Sequence, residues 1–248
     1  MKLKDKVAIV TGGDTGIGRA ISMALAREGA SIVVDYHGDI EPANSLVAEV
    51  ESLGCKAIAV AADVSDPDAV EALVAAAVNA FGGLDILVNN AGIEEKHPFL
   101  ETPHALFQKI IAINLGGAWT CSQAAAKQMV KQKRGGRIIN ISSVHEDLAM
   151  PTNAPYCAAK GGLRMLMRTI AIELAEHDIT VNNVAPGAVD TPMDAALKSN
   201  PAEMETLLAE IPLRRMAKPE EIAGVVTFLA SDSGAYITGS TYIIDGGM

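Results

Sequence analysis

The chain has 248 residues, 49% of them hydrophobic, and carries a formal charge of −10 at neutral pH. That balance excludes nucleic-acid binding, which needs a concentrated basic face, and no apolar run approaches the ~20 residues that would cross a bilayer. The opening MKLKDK leads into a strand pattern rather than a signal-peptide core. Cys55, Cys121 and Cys157 share no C-x-x-C spacing and the five histidines form no H-x-x-x-H pair. Free thiols, no metal site and a cytoplasmic setting are therefore expected.

Along the chain, short β-branched runs alternate with amphipathic stretches of helical period. Val7–Val10 feeds a glycine turn and a helix that begins near Ile17 and stops at Gly29. Ile32–Val34, a helix over Ala43–Leu53 closed by Gly54, and Ala57–Ala61 follow in the same rhythm. Ser65 with Pro67 opens a helix that runs to Phe81 and ends at Gly82-Gly83, and Thr102-Pro103 opens another after the strand Ile86–Val88. Further strands are expected at Arg137–Ile141, Thr180–Val184 and Thr241–Ile244, about seven in all. This alternation predicts βαβ units, hence a single doubly wound domain over residues 1–248 with a parallel sheet and ligands beyond the strands' carboxyl ends.

The first of those ends is TGGDTGIG, Thr11–Gly18. Gly12 lets the backbone bend, Gly16 and Gly18 leave room beside Asp14, Thr15 and Ile17, and a helix N-terminus brings about half a positive charge. The segment reads as a dinucleotide diphosphate cradle, although its G-x-x-x-G-x-G spacing departs from the usual G-x-G-x-x-G of Rossmann dehydrogenases. Polar or turn-forming residues recur at the later strand ends: Asp63-Val64, Asn89-Asn90-Ala91-Gly92, Ser142-Ser143, and Pro186-Gly187 with Val189 and Thr191. Tyr156 and Lys160 stand four apart, on one face of a helix. A phenol is a poor base near neutrality, and an adjacent ammonium favours its phenolate.

These segments together, with Asn114 and the closing DGG, resemble the short-chain dehydrogenase/reductase family over nearly the whole chain. The resemblance implies a Rossmann-type fold and a nicotinamide-dependent oxidoreductase. It makes Tyr156 the general acid/base, Ser143 the group that orients the substrate oxygen, and Lys160 the partner of the tyrosine and of the nicotinamide ribose. Asn114, expected at a helix kink ahead of Gly116-Gly117, holds a water that extends the proton relay. Asp63 would meet the adenine, Asn90 the ribose side, and Val189 and Thr191 the nicotinamide end. At the close of the second strand Tyr36, preceded by Asp35, stands where NAD-specific relatives carry an acidic residue, His37 stands where many NADP users carry arginine, and Thr15 stands where a basic residue is usual. NAD is expected, with NADP accepted.

After the serine, SVHE, and after NNAG, Glu94, are most similar to bacterial glucose 1-dehydrogenases. Glu94, His145 and Glu146 are accordingly expected to converge on Ser143 and Tyr156 and to hold a sugar's hydroxyls. A 3-oxoacyl-carrier-protein reductase, another ketone or polyol reductase and a regulatory nucleotide-binding protein stay open as alternatives. The helix Tyr156–Glu176 is apolar around much of its girth, which fits burial in a homotetramer of the kind the resemblance implies. Residues 190–216, rich in proline and small residues, are expected to form a substrate lid.

Overall fold

The computed structural model describes residues 1–192 and 195–248. Its seven strands form one sheet in the order β3-β2-β1-β4-β5-β6-β7, and every pairing is parallel. In sequence they are β1 (Val7–Val10), β2 (Ser31–Tyr36), β3 (Ala57–Ala61), β4 (Ile86–Asn89), β5 (Gly136–Ile141), β6 (Ile179–Pro186) and β7 (Thr241–Ile244). The strand order turns back between β1 and β4, which opens a crevice above their carboxyl ends.

Helices cover both faces because the strand residues alternate. Ala8, Val10, Ile32, Val34 and Ile86 pack toward α1 (Gly16–Arg27), α2 (Glu41–Ser52) and α9 (Pro219–Ala230), where Ile21, Leu25, Leu46 and Val226 complete one core. Val7, Ile9, Val33, Leu87 and Ile138 face the other way. They meet Leu73, Ala125, Met129 and Met167 from α3 (Pro67–Phe81), α5 (Ala118–Gln132) and α6 (Ala154–Leu174). Each such buried Ile or Leu stabilises the fold by about 1.5–3 kcal/mol, so the two cores fix the strand ends that carry the site.

Helix boundaries follow local chemistry. Asp66 rather than Ser65 caps α3, its carboxylate accepting the Asp68 N–H, and Gly82 closes the helix at φ +83°. Ser65 is instead held by Asp63. Helix α4 (His104–Ile111) runs into a π-helical stretch, Ala112–Gly117, before α5, so the interruption expected at Asn114 takes the form of a local underwinding of the helix. The segment from Asp190 to Met216 is closed at its base by a parallel bridge between Val189 and Ala217. It contains α7 (Ala195–Lys198) and α8 (Pro201–Glu210), while Met193 and Asp194, part of the expected lid, lie outside the described residues. No helix among the described residues is long and apolar enough to cross a membrane.

Candidate active site

The glycine turn is built by reciprocal bonds between the ends of β1 and β4. Thr11 Oγ1 accepts the N–H groups of Asn90 and Ala91 at 2.9 and 3.0 Å. Asn90 Nδ2 donates back to the carbonyls of Thr11 and Gly12 at 3.0 and 2.9 Å. Gly12 and Gly16 have φ of +55° and +51°, where a side chain would be strained. Gly18 has a different reason: a Cβ there would overlap the Gly12 carbonyl oxygen and come within 2.6 Å of Asn90 Nδ2. Its missing side chain serves the packing of the turn on β4. Helix α1 starts at Gly16; Thr15 makes no side-chain cap and no acid occupies the first turn. Those leading N–H groups, beside a bare Gly16 at which an added Cβ would come within 3.6 Å of Thr191 Cβ, fit a diphosphate.

Several expected cofactor contacts are placed differently. Asp35 is only 2% exposed. One carboxylate oxygen accepts the Gly12 N–H at 3.1 Å and the other is buried with no hydrogen-bond partner. Burial, countered by backbone N–H groups, pushes its carboxyl up to about 7. Asp35 therefore braces the turn from below and presents nothing to a ribose. Tyr36 is also buried, packed in the core beside α1 and α2. Asp63 is exposed at the end of β3; Ser65 hydroxyl and amide bonds to one of its oxygens hold its carboxyl below the usual range. Val64 is buried and abuts the π-helical Gly117, and Gly92 lies beside Asn114 Oδ1. Gly187 is bare because Asp245, just past β7, lies where its Cβ would be, and Val189 is buried in the bridge to Ala217.

Around Ser143 the groups gather closely. Ser143 ends the extended chain from β5, and its Oγ accepts the His145 N–H at 3.2 Å. Lys160 is buried on α6, its ammonium donating to the Ile141 carbonyl at 2.8 Å and standing 5.4 Å from the centre of the Tyr156 ring. Desolvation pushes Lys160 down to about 8, opposed by the charges of Glu146 and Glu94. The Asn114 side chain is occupied, exchanging two bonds of 2.9 Å with the backbone of Ile93. A polar cavity of about 10 Å³, room for roughly one water, lies between Thr11, Asn89, Asn114 and Lys160.

The expected sugar contacts divide. The His145 ring meets the Tyr156 ring edge-on, with centroids 6.4 Å apart, and its Nδ1 lies 3.1 Å from the Leu148 carbonyl. Glu94 is partly buried and accepts from Asn153 Nδ2 at 2.7 Å. Glu146 does not converge on Tyr156. Its carboxylate accepts from Asn183 Nδ2 at 3.0 Å and Thr241 Oγ1 at 2.7 Å, turned toward β6 and β7. Sequence reading missed Thr11, Asn153 and the pair Asn140/Asn183. The asparagines inside the apolar runs LVNN, IINI and VNNV were the available signal, since parallel register sets them side by side.

A parallel sheet of this order with a glycine turn at its switch point defines a dinucleotide-binding α/β protein. The chain belongs to the short-chain dehydrogenase/reductase family and is an NAD(P)-dependent oxidoreductase: residues 12–248 match the family model described as enoyl-(acyl carrier protein) reductase. That sets aside the regulatory-protein alternative. The chain is 42% identical to the L-rhamnose 1-dehydrogenase (NAD(P)(+)) of Sphingomonas sp. over 99% of this chain and 97% of the relative. It is 44% identical to the 3-oxoacyl-[acyl-carrier-protein] reductase of Synechocystis sp., covering 99% and 98% of the two chains. The crystal structure of acetoin dehydrogenase from Enterobacter cloacae superposes with a TM-score of 0.89 at 43% identity, covering 98% of this chain and 95% of that one.

Proposed function

We propose that the enzyme oxidises the anomeric carbon of an aldose to the lactone, with L-rhamnose and D-glucose as the leading substrates. The observation that carries this reading is the set of polar groups beside the serine and tyrosine: His145 bonds back to Ser143 and meets the Tyr156 ring, and Asn153, three residues before Tyr156 at the start of α6, holds Glu94. A sugar's hydroxyls need such partners, whereas an acyl chain or a steroid needs apolar wall. The relative named for L-rhamnose adds weight to oxidation at C1.

In this reading Tyr156 takes the proton of the anomeric hydroxyl. Ser143, whose oxygen already accepts the His145 N–H, donates its own proton to the same substrate oxygen and orients it. Lys160, anchored on Ile141, supplies the charge that favours the phenolate. The tyrosine's proton leaves through a water in the cavity beside Lys160, at the backbone opened by the π-helical stretch around Asn114. A bound nicotinamide would supply the hydride acceptor for this oxidation. The α1 N-terminus with Gly12, Asp14, Thr15, Gly16 and Ile17 would hold its diphosphate, Asp63 and Val64 the adenine side, and Asn90, Ala91, Gly92, Pro186, Gly187, Val189 and Thr191 the nicotinamide side.

NAD is the preferred cofactor and NADP is accepted. A 2′-phosphate would meet Asp14 rather than a cation at Thr15, and the Arg19 guanidinium is already taken by Glu49 at 2.6 Å and the Pro42 carbonyl. Residues 190–216, tied at the Val189–Ala217 bridge, form the lid. The enzyme works as a homotetramer through the groove of about 420 Å³ between α5 and α6, where Trp119, Leu166 and Ile170 are lined up.

Initial rates for L-rhamnose, D-glucose, D-galactose, D-xylose, acetoin and an acetoacetyl thioester, each with NAD and NADP, test the reading. The aldoses should lead with NAD. Strong thioester reduction with no aldose oxidation would replace it with the carrier-protein reductase.

A further inference from the structure

Beneath the turn that carries Ser143 a row of polar side chains, three amides and a hydroxyl, crosses four strands. Asn89, Asn140, Asn183 and Thr241 are register partners on β4, β5, β6 and β7. Asn89 Nδ2 donates to Asn140 Oδ1 at 2.8 Å, and Asn140 Nδ2 donates to Asn183 Oδ1 at 2.9 Å. Asn183 Nδ2 and Thr241 Oγ1 then both donate to Glu146. An ionised carboxylate only accepts, so Glu146 dictates the direction of all three amides. Its side chain is 2% exposed, and its backbone N–H closes the turn on the Ser143 carbonyl at 3.0 Å.

A buried carboxylate is costly unless it is paired. Facing Glu146 from α6 are the Arg164 guanidinium at 3.6 Å, which also pairs with Asp147 in the same turn, and Lys160. From β6 and β7 come the uncharged Asn183 and Thr241. Lys160 also feels the charge of Glu94.

We propose that Glu146 is a positioning residue for the reaction: it clamps the turn that presents Ser143 and provides the fixed negative charge that sets the proton affinity of the Tyr156–Lys160 pair. The proposal rests on the assignment of that pair as the proton acceptor. Negative charge holds protons on its neighbours, so removing it lets the pair lose its first proton at lower pH. Removing the Arg164 charge does the opposite.

The test is the pH profile of kcat/KM for oxidation of the fastest substrate in the panel above, in Glu146→Gln, Glu146→Asp and Arg164→Gln, with NADH binding by fluorescence and thermal melts alongside. Glu146→Gln should move the acid limb down by ~0.5 pH unit or more and lower kcat about 10-fold, with NADH affinity kept. Arg164→Gln should move the limb up, and Glu146→Asp should leave it near the wild-type position. If both charge-removing variants melt earlier but leave the limb in place, or move it the same way, Glu146 is structural only and the proposal is overturned. Should Glu146→Gln not fold, opposite movement in Arg164→Gln still supports the proposal and an unmoved limb still overturns it. A Tyr156→Phe variant with full activity is the separate result that would remove the pair's assigned role.

Discussion

At the scale of the residue, the site works by what surrounds each polar group. Tyr156, the proposed proton acceptor, stands on α6, whose next turn sends Lys160 to the β5 carbonyl of Ile141. Tyr156→Phe should lower kcat by about 10²-fold or more, the low end for losing a positioned acid/base, while NADH titration shows unchanged affinity. Asp35 gives a second prediction. Its carboxyl is raised from 3.8 to about 7 by burial, so the folded state keeps a proton that the unfolded chain has released. Its contribution to stability therefore falls as pH rises from about 4 to about 7, the reverse of a salt-bridged carboxylate. Asp35→Asn keeps an acceptor for the Gly12 N–H and removes the titration. Denaturant melts should show the stability of the variant relative to the wild type rising by on the order of 2 kcal/mol between about pH 5 and about pH 8. A flat difference would place the charge elsewhere.

At the scale of the element, the glycine turn and the π-helical stretch are where local rule-breaking makes the site. Gly18→Ala would drive a methyl into the Gly12 carbonyl and the Asn90 amide, and should weaken NADH binding about 10-fold or more in a fluorescence titration. A variant with normal affinity would show that the turn yields easily. The strands and most helix limits were legible because apolar alternation and Gly/Pro punctuation act locally: Val7–Val10, Ala57–Ala61 and Thr241–Ile244 end where the pattern does. Side-chain direction was not. Asp35 and Tyr36 look like surface residues at a strand end, but both extend into the buried layer under the turn. Glu146 follows Ser143 closely in sequence, yet a 3₁₀ turn swings its carboxylate away to β6 and β7. Such placements depend on long-range packing that no short window of sequence contains.

At the scale of the whole molecule, one parallel sheet gathers strand ends separated by more than half the chain into one crevice, and apolar side chains stay exposed on the outer faces of its helices. Trp119, Met165 and Ile172 are 54%, 59% and 80% exposed on α5 and α6, and Tyr236 and Ile243 are exposed near the β7 edge. Two such patches are what a tetramer with two-fold axes requires. Light scattering should give a tetramer, and Trp119→Asp should reduce it to smaller species; an unchanged mass would rule out the α5/α6 face. In the proposed reaction hydride leaves the anomeric carbon of an aldose while Tyr156 takes the hydroxyl proton. Its most direct measurement is oxidation of L-rhamnose and D-glucose deuterated at C1 with NAD, followed by mass spectrometry of the reduced cofactor. NADH carrying the deuterium, together with a lactone product, is the expected result for wild type, with Tyr156→Phe forming almost none. Unlabelled NADH, or no turnover of either sugar beside rapid turnover of a ketone or acyl thioester, would contradict it.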